Sequence, residues 1–253
     1  FFHLPLKILN KKEFKNLDIA LRIEADTIIK KVLGNLNNLK KIKSIYFRKK
    51  NKWYSTGMGE FCQNLDDLPF PDRDIIKKVL YVRPDTGEPM TTIQVSRGCP
   101  FNCIYCLTPQ ISGRKVRYRS AENIVKEIEE CVKKYKIKNF FLRADTFTVS
   151  NEEVIKICKL IIQRKLRINW VANSRTDTIE EDMLKWMKKA GCYLIAFGFE
   201  VGSNEAKKKI NKMTTIEQDI QARKLCKKYG LQVYGFFMIG FPWETEGDIK
   251  KTI

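Results

Sequence analysis

The sequence lacks the features that mark several large classes of proteins. None of its apolar runs approaches the roughly 20 residues that a membrane-spanning helix needs, and no signal peptide is visible. Neither GxGxxG nor GxxxxGK[ST] occurs, so nucleotide-binding crevices of those two kinds are unsupported. The 253 residues include a single histidine, His3. Because the chain begins with Phe1 and ends within the helix-like "DIKKTI", we interpret it as a fragment of a cytoplasmic protein.

Acidic residues are scarce relative to basic ones. The formal net charge is +19, and residues 1–60 hold fourteen Lys and Arg against five Asp and Glu. Such a balance is typical of nucleic-acid-binding surfaces, but solvated lysine-rich faces produce it as well. No aromatic stripe alternates with the charges, as it does in proteins that bind single strands. We therefore favour solvated faces and expect no nucleic-acid partner.

From residue 91 onward, predicted strands and helices alternate along the chain. Five segments read as strands that are apolar almost throughout, as expected when both faces of a sheet are covered: "TTIQVS", "IKNFFLRA", "INWVANS", "YLIAFGFE" and "LQVYGFFMIG". Two helices between them begin with predicted capping boxes, Ser150 with Glu153 and Thr178 with Glu181. This rhythm predicts an α/β protein with a parallel sheet and right-handed crossovers.

Polar residues and glycine follow the ends of these strands, which favours a barrel over an open doubly wound sheet. They are Cys99, Asp145, Ser174 with Arg175, Glu200, and Gly240 with Pro242. Residues gathered at the C-terminal ends of several strands mark the active face of a (β/α) barrel. We therefore expect a partial TIM-like (β/α)6 barrel with about five of its strands present.

Three of the eight cysteines lie within the short stretch "RGCPFNCIYC", as Cys99, Cys103 and Cys106. In a reducing cytosol, clustered thiols bind metals more often than they form disulfides. Zinc would normally need a fourth Cys or His, whereas an iron–sulfur cluster on three thiolates keeps one iron open for a small ligand. The other cysteines are three expected core thiols and two without a pattern: Cys131, Cys158 and Cys226, and Cys62 and Cys192.

The spacing C99-x3-C103-x2-C106, with an aromatic residue at position 105 and a predicted strand before it, resembles the radical SAM superfamily. The phrases "LDDLPFPDRD", "ADTFT", "NSRTD", "AGCYLIAFGFEVGS" and "MIGFPWET" occur in the order of the subgroup that often carries an N-terminal cobalamin-binding domain. The resemblance extends across residues 65–253. It implies a remnant of a Rossmann-like cobalamin-binding domain over residues 1–53, a linker over 54–90 and a radical SAM core over 91–253.

The resemblance implies cofactors for the cysteine loop. In the family, three thiolates, here Cys99, Cys103 and Cys106, hold a [4Fe–4S] cluster whose fourth iron takes the amino and carboxylate groups of S-adenosylmethionine. An electron, supplied by a reductant such as flavodoxin or ferredoxin, splits the sulfonium C–S bond. The products are methionine and a 5′-deoxyadenosyl radical, which abstracts hydrogen from a substrate.

The resemblance also assigns residues to the S-adenosylmethionine site. Asp145 corresponds to a contact with the methionine amine, Arg175 beside Ser174 to one with the methionine carboxylate, and Glu200 to the acid that binds ribose hydroxyls. Adenine would contact Tyr105, Met238, Ile239 and Gly240. Structural alternatives remain open: Asp145 could cap a turn, Arg175 could pair with Asp177, and Met238 and Ile239 could be strand core.

The function implied is a radical SAM enzyme that uses cobalamin, in the full-length protein, to methylate or rearrange an unactivated carbon. The substrate would be a small molecule or a peptide. One alternative is a relative of the tRNA or ribosomal-protein methylthiotransferases, which the basic charge favours. The other is a non-catalytic metal-binding or nucleic-acid-binding module.

Overall fold

The computed structural model describes residues 6–76 and 80–253. His3 and residues 77–79 of the predicted linker lie outside the described residues. In the described part, the strands are β1 (Ile19–Leu21), β2 (Ile45–Lys49), β3 (Lys52–Ser55), β4 (Met90–Gln94), β5 (Ser96–Arg97), β6 (Arg117–Tyr118), β7 (Asn139–Arg143), β8 (Asn169–Ser174), β9 (Cys192–Glu200) and β10 (Gln232–Phe237).

The α-helices of the described part are mostly short, and the longest lies between β6 and β7. They are α1 (Leu6–Leu9), α2 (Ala25–Leu33), α3 (Thr108–Ile111), α4 (Ala121–Tyr135), α5 (Asn151–Gln163), α6 (Glu181–Lys189), α7 (Asn204–Lys209), α8 (Ile216–Lys228) and α9 (Glu246–Thr252). None of them is both long and apolar enough to cross a lipid bilayer.

The chain divides into two compact units. The first comprises Phe1–Leu68, Gly98–Pro100 and Leu107–Arg117, and the second Pro69–Arg97, Phe101–Cys106 and Tyr118–Ile253. This division reflects which residues contact one another and does not identify domains. The domain boundaries predicted after residues 53 and 90 therefore stay predictions.

The first unit contains the antiparallel sheet β1-β2-β3. Ile28 and Val32 of α2 pack with Ile45 and Phe47 of β2 in a small apolar core. Near this core, the buried Arg117 donates two hydrogen bonds to the Glu24 carboxylate, at 2.6 and 2.9 Å. A bidentate pair of this kind satisfies charges that burial would otherwise penalise.

The second unit contains a parallel five-stranded sheet in the order β10-β9-β8-β7-β4. The order in the sheet is the reverse of the order along the chain, so strands that are consecutive among these five are neighbours in the sheet. Successive βα units produce this arrangement. The predicted α/β fold class is therefore confirmed. Buried residues of α4, α5, α6 and α8 form the main core with the strand residues that face them, among them Ile93, Leu142, Ala172 and Ile195. On β10, however, Tyr234 and Phe236 are half exposed, so this strand is not covered on both faces.

The predicted starts of two helices have different outcomes. The Ser150 hydroxyl accepts a hydrogen bond from the Glu153 backbone N–H at the start of α5, as expected. The predicted cap at Thr178 is wrong, because α6 has Glu180 at its N-cap position and no side-chain cap bond. Thr178 lies in a preceding 3-10 turn, where its hydroxyl donates to the carbonyl oxygen of Arg175.

Gly191, which follows the end of α6, offers a test of this packing. Its φ is +94°, and a Cβ placed there would overlap the backbone carbonyl of Ile168. We expect Gly191→Ala to lower the free energy of unfolding by about 3 kcal/mol. Gly87 has a φ of +70° but open space around it, so Gly87→Ala should cost only about 1 kcal/mol. Urea titration measures both values, and equal losses would contradict the prediction.

Candidate functional site

The parallel order of the sheet brings the predicted strand-end residues to one edge. Asp145 follows β7, Ser174 and Arg175 lie at the end of β8, Glu200 ends β9, and Met238 follows β10. Because all five strands point the same way, these residues gather at the C-terminal edge of the sheet.

Part of the cysteine stretch packs against the segment that follows α7. The Ile104 backbone N–H donates to the Ile210 carbonyl at 3.1 Å, and the Asn211 side-chain amide donates to the Asn102 carbonyl at 2.8 Å. These bonds fix residues 101–106 within the second unit. Cys99 belongs to the first unit, where its backbone N–H donates to the Gly113 carbonyl at 3.1 Å.

Arg175 makes the most contacts at this edge. Its Nε and Nη2 donate to the two carboxylate oxygens of Asp177 at 2.9 and 2.8 Å. Nη2 also donates to the Lys212 carbonyl at 2.6 Å, and Nη1 lies 3.7 Å from the Cys103 Sγ. The guanidinium carbon stands 3.7 Å from the centre of the Phe101 ring.

Arg175 thus adopts the ion pair with Asp177 that the sequence left open as an alternative. Burial disfavours the charged form, but Asp177 and Cys103 outweigh it and raise the pKa of Arg175. The guanidinium is therefore a fixed cation beside the Cys103 sulfur. Its contact with a methionine carboxylate stays a prediction.

Glu200 has an uncommon backbone and a buried charge. Its φ is +69°, in the left-handed region that non-glycine residues rarely adopt. The register between β9 and β10 shifts beside it, at Phe236 and Phe237. Its carboxylate accepts a hydrogen bond from Lys212 Nζ at 3.1 Å, and both side chains are buried. A Cβ on Gly198 would overlap this carboxylate, so Glu200 bends back over Gly198.

Tyr105 lies among these groups. Burial, followed by the nearby Glu200 carboxylate and Cys103, raises its pKa well above the ordinary tyrosine value. Its ring contacts Phe241 edge-on at 6.3 Å. The Tyr105 hydroxyl is therefore neutral and lies between the cysteine stretch and the end of β9.

The remaining predicted residues are spread along the same edge. Ser174 is buried, and its hydroxyl contacts that of Thr148. Met238 donates its backbone N–H to the Glu200 carbonyl at 2.7 Å. Gly240 has a φ of +95° with open space around it, and Ile239 is exposed. The structure does not bury Ile239 as strand core, so that alternative is excluded for it.

Two lysines at this edge were not predicted from the sequence. Lys212 pairs with Glu200, and the fully buried Lys207 places its Nζ 2.5 Å from Asp219 Oδ2. Both lie in the basic run "AKKKINK", whose composition does not distinguish buried lysines from solvated ones. Only the spacing could have indicated that Lys207 is buried, because Ala206 and Ile210 form an apolar helical stripe next to it.

Four of the cysteines belong to the main core. Cys131, Cys158 and Cys226 are core thiols as predicted, and Cys192 joins them. Burial raises the pKa of Cys131 to about 11 and that of Cys226 to about 12, which disfavours the thiolate that binds metals.

The thiols of the cysteine stretch are better suited to hold a cluster. Cys103 and Cys106 are only half buried, whereas Cys99 is buried, and the Arg175 guanidinium lies beside the Cys103 sulfur. Among the described residues, no group of three or more His, Cys, Asp or Glu side chains is arranged to hold a metal ion. The chemistry of the donors fits an iron–sulfur cluster, and ligation by Cys99, Cys103 and Cys106 stays a prediction.

Comparison with known families identifies the larger part of the chain. Residues 93–253 match the model of the radical SAM superfamily. The chain is 34% identical over 248 residues to an uncharacterized methyltransferase of Pyrococcus horikoshii, covering 97% of this chain and 54% of that protein. It is 30% identical over 192 residues to the anaerobic magnesium-protoporphyrin IX monomethyl ester cyclase of Rubrivivax gelatinosus, covering 75% of this chain and 34% of that protein. The chain thus spans about half, or less, of these relatives.

Solved structures share the fold. The cobalamin-dependent S-adenosylmethionine radical enzyme OxsB, with aqua-cobalamin and S-adenosylmethionine bound, matches with a TM-score of 0.82 at 19% identity, over 95% of this chain and 36% of OxsB. The radical S-adenosylmethionine methyltransferase TsrM from Kitasatospora setae, with cobalamin and a [4Fe-4S] cluster bound, matches with a TM-score of 0.76 at 14% identity, over 98% of this chain and 50% of TsrM. The predicted TIM-like fold and family are confirmed.

The Lys207–Asp219 pair predicts a strong effect on stability. Burial lowers the pKa of Lys207, and Asp219 opposes this effect. Lys207→Met would leave the buried Asp219 without its cation, so we expect a loss of about 3–5 kcal/mol in the free energy of unfolding. Lys208→Met, on the exposed side of the same helix, should change stability by less than about 0.5 kcal/mol.

A double variant separates the charge from the packing. Asp219 Oδ1 accepts a hydrogen bond from the Thr176 hydroxyl at 2.7 Å, which an asparagine at 219 can keep. Lys207→Met combined with Asp219→Asn should therefore recover part of the loss in the same urea titration. No recovery would show that the packing of Lys207, rather than its charge, stabilises the fold.

Proposed function

Because the chain belongs to the radical SAM superfamily, we propose that it binds a [4Fe–4S] cluster through Cys99, Cys103 and Cys106. Held there, such a cluster would provide the one-electron chemistry for reductive cleavage of the C–S bond of S-adenosylmethionine. The observation that supports this most directly is that the Arg175 guanidinium lies 3.7 Å from the Cys103 Sγ, while Tyr105 of the same stretch lies near the Glu200 carboxylate.

The side chains around Cys103 would place and shield the cofactors. Arg175 holds a positive charge beside the Cys103 sulfur, and the Phe101 ring covers that cation. Tyr105 and Phe241 add aromatic surface that excludes water. Reactive intermediates need such exclusion.

Glu200 would accept hydrogen bonds from the two ribose hydroxyls of S-adenosylmethionine. One carboxylate oxygen takes the Lys212 ammonium, and a carboxylate keeps further lone pairs for hydroxyl donors. Asp145 would bind the methionine amine, and the segment Met238–Gly240 with Tyr105 would contact the adenine. Ser174 would support the end of β8 through its contact with Thr148.

The reaction of the full-length protein would be a cobalamin-dependent methylation or rearrangement of an unactivated carbon. Support comes from the methyltransferase and cyclase names of the relatives and from the cobalamin in OxsB and TsrM. The reductant would be a cytoplasmic flavodoxin or ferredoxin. Cobalamin binding by the full-length protein would favour this function over that of a methylthiotransferase.

Removing one cysteine tests the cluster. After anaerobic reconstitution, the chain should contain about four irons, and the EPR signal of the reduced cluster should change when S-adenosylmethionine is added. We expect Cys103→Ala to lose most of the iron and the signal. Cys226→Ala, at a fully buried core position, should keep both. Equal iron contents in the two variants would contradict the proposed ligand set.

Changing Glu200 tests the nucleoside contact. Glu200→Gln should weaken S-adenosylmethionine binding about tenfold, because hydrogen bonds to a charged acceptor are lost. Iron content should stay unchanged. The control is Glu181→Gln, which alters an exposed ion pair with Lys228. Titration of the EPR change gives both affinities, and unchanged binding by Glu200→Gln would refute this role.

A further inference from the structure

The parallel sheet has one face that points away from the helices, and we call it the open face. Phe141 pairs with Val171, and Val171 with Leu194, so these three side chains form one row across β7, β8 and β9. Ala196 pairs with Tyr234, and Gly198 with Phe236, on the same side. The residues between them along the strands belong to the core on the other side.

The open face is apolar at its β10 end. Tyr234 is 53% exposed and Phe236 is 50% exposed. Their rings contact each other edge-on at 5.1 Å. Beside them, the small side chain of Ala196 leaves room above β9, and the Glu200 carboxylate and the Lys212 ammonium lie over Gly198. Exposed aromatic surface next to such space is typical of a binding site.

The other end of the face carries unused polar groups. The Arg143 side chain on β7 is exposed and has no hydrogen-bond or ion-pair partner among the described residues. The side-chain oxygen of Asn173, on β8, is buried without a hydrogen-bond partner in the described part of the chain. Arg143 and Tyr234 stand three strands apart, which corresponds to about 14 Å. A ligand that reached both would be an elongated or broad molecule.

The apolar row also leads to a cavity. Phe141 of the open face lines it together with Met90, Ile137 and Pro89, and its volume is about 480 Å³. This volume lies within the range of small-molecule sites. The apolar surface therefore extends beyond the aromatic pair.

The open face borders the site proposed for S-adenosylmethionine. Gly198 pairs with Phe236, and the Glu200 carboxylate lies against the same glycine. A molecule stacked on Phe236 would thus lie next to the residue proposed to bind the ribose.

From these observations we infer that the open face binds the substrate, an apolar molecule of about 14 Å or more that carries one anionic group. The carbon skeleton would lie along Phe141, Val171 and Leu194 and against the Tyr234–Phe236 pair, and the anion would pair with Arg143. This inference rests on the proposed function, because the bound molecule is a substrate only if the protein is the proposed enzyme. A charged peptide or a nucleic acid would fit this face poorly, because the row is apolar and Arg143 is the one unpaired cation found on it in the described part of the chain.

Binding of a fluorescent fatty acid tests the inference. cis-Parinaric acid has an apolar chain and one carboxylate, and its emission rises when it leaves water. The cluster-loaded chain should bind it saturably. Phe236→Ser should weaken the binding of the acid and of its methyl ester about tenfold, because apolar contact is lost. Arg143→Gln should weaken the acid about tenfold and leave the ester unchanged.

The control is Ile220→Ser, at a half-exposed apolar position on α8, which should leave both affinities unchanged. Absence of saturable binding, or equal effects of Arg143→Gln on acid and ester, would overturn the inference. Formation of 5′-deoxyadenosine without added substrate reports separately on the proposed function. If the chain binds parinarate but forms no 5′-deoxyadenosine, the proposed function is refuted and the ligand site is still supported.

Discussion

The site is organised by the buried guanidinium of Arg175. A buried arginine is tolerated only when its donors find acceptors, and here the acceptors come from separate segments. Asp177 follows it in the chain, the Lys212 carbonyl comes from beyond α7, and Cys103 comes from the cysteine stretch. Phe101 covers its face. One rigid, permanently charged group contacts all of these segments. The position of each segment therefore depends on the positions of the others.

Paired charges of this kind recur at the C-terminal edge of the sheet. Arg175 pairs with Asp177, Lys207 with Asp219 and Lys212 with Glu200. Removing charges from water is costly, and apolar residues would often fill such positions at no loss of stability. Fixed charges in a site of low polarity nevertheless interact strongly with ligands that carry charge. Their concentration where the strand-end residues gather is therefore better explained by ligand binding than by stability.

The sequence was most informative where one physical signal acted alone. Cys131 of α4 and Cys158 of α5 were correctly predicted as core thiols, because amphipathic helices must place one stripe in the core. Thr178 failed as a cap because its hydroxyl has competing acceptors in a tight turn. The buried lysines could not be predicted, since their burial depends on carboxylates distant in sequence. Spacing revealed the cysteines, but not that Arg175 would stand beside Cys103.

Gly198 and Glu200 together explain how one strand end borders both proposed sites. A left-handed backbone at Glu200 is unfavourable for a residue with a side chain, and the register shift beside it accommodates the turn. The result is that the carboxylate folds back over the strand instead of pointing beyond it, which is possible only because residue 198 has no side chain. Any larger residue at 198 would displace the carboxylate and break its pair with Lys212. The unfavourable backbone of Glu200 thus depends on the absence of a side chain at Gly198. Together, these two features bring the Glu200 carboxylate to the border of the open face.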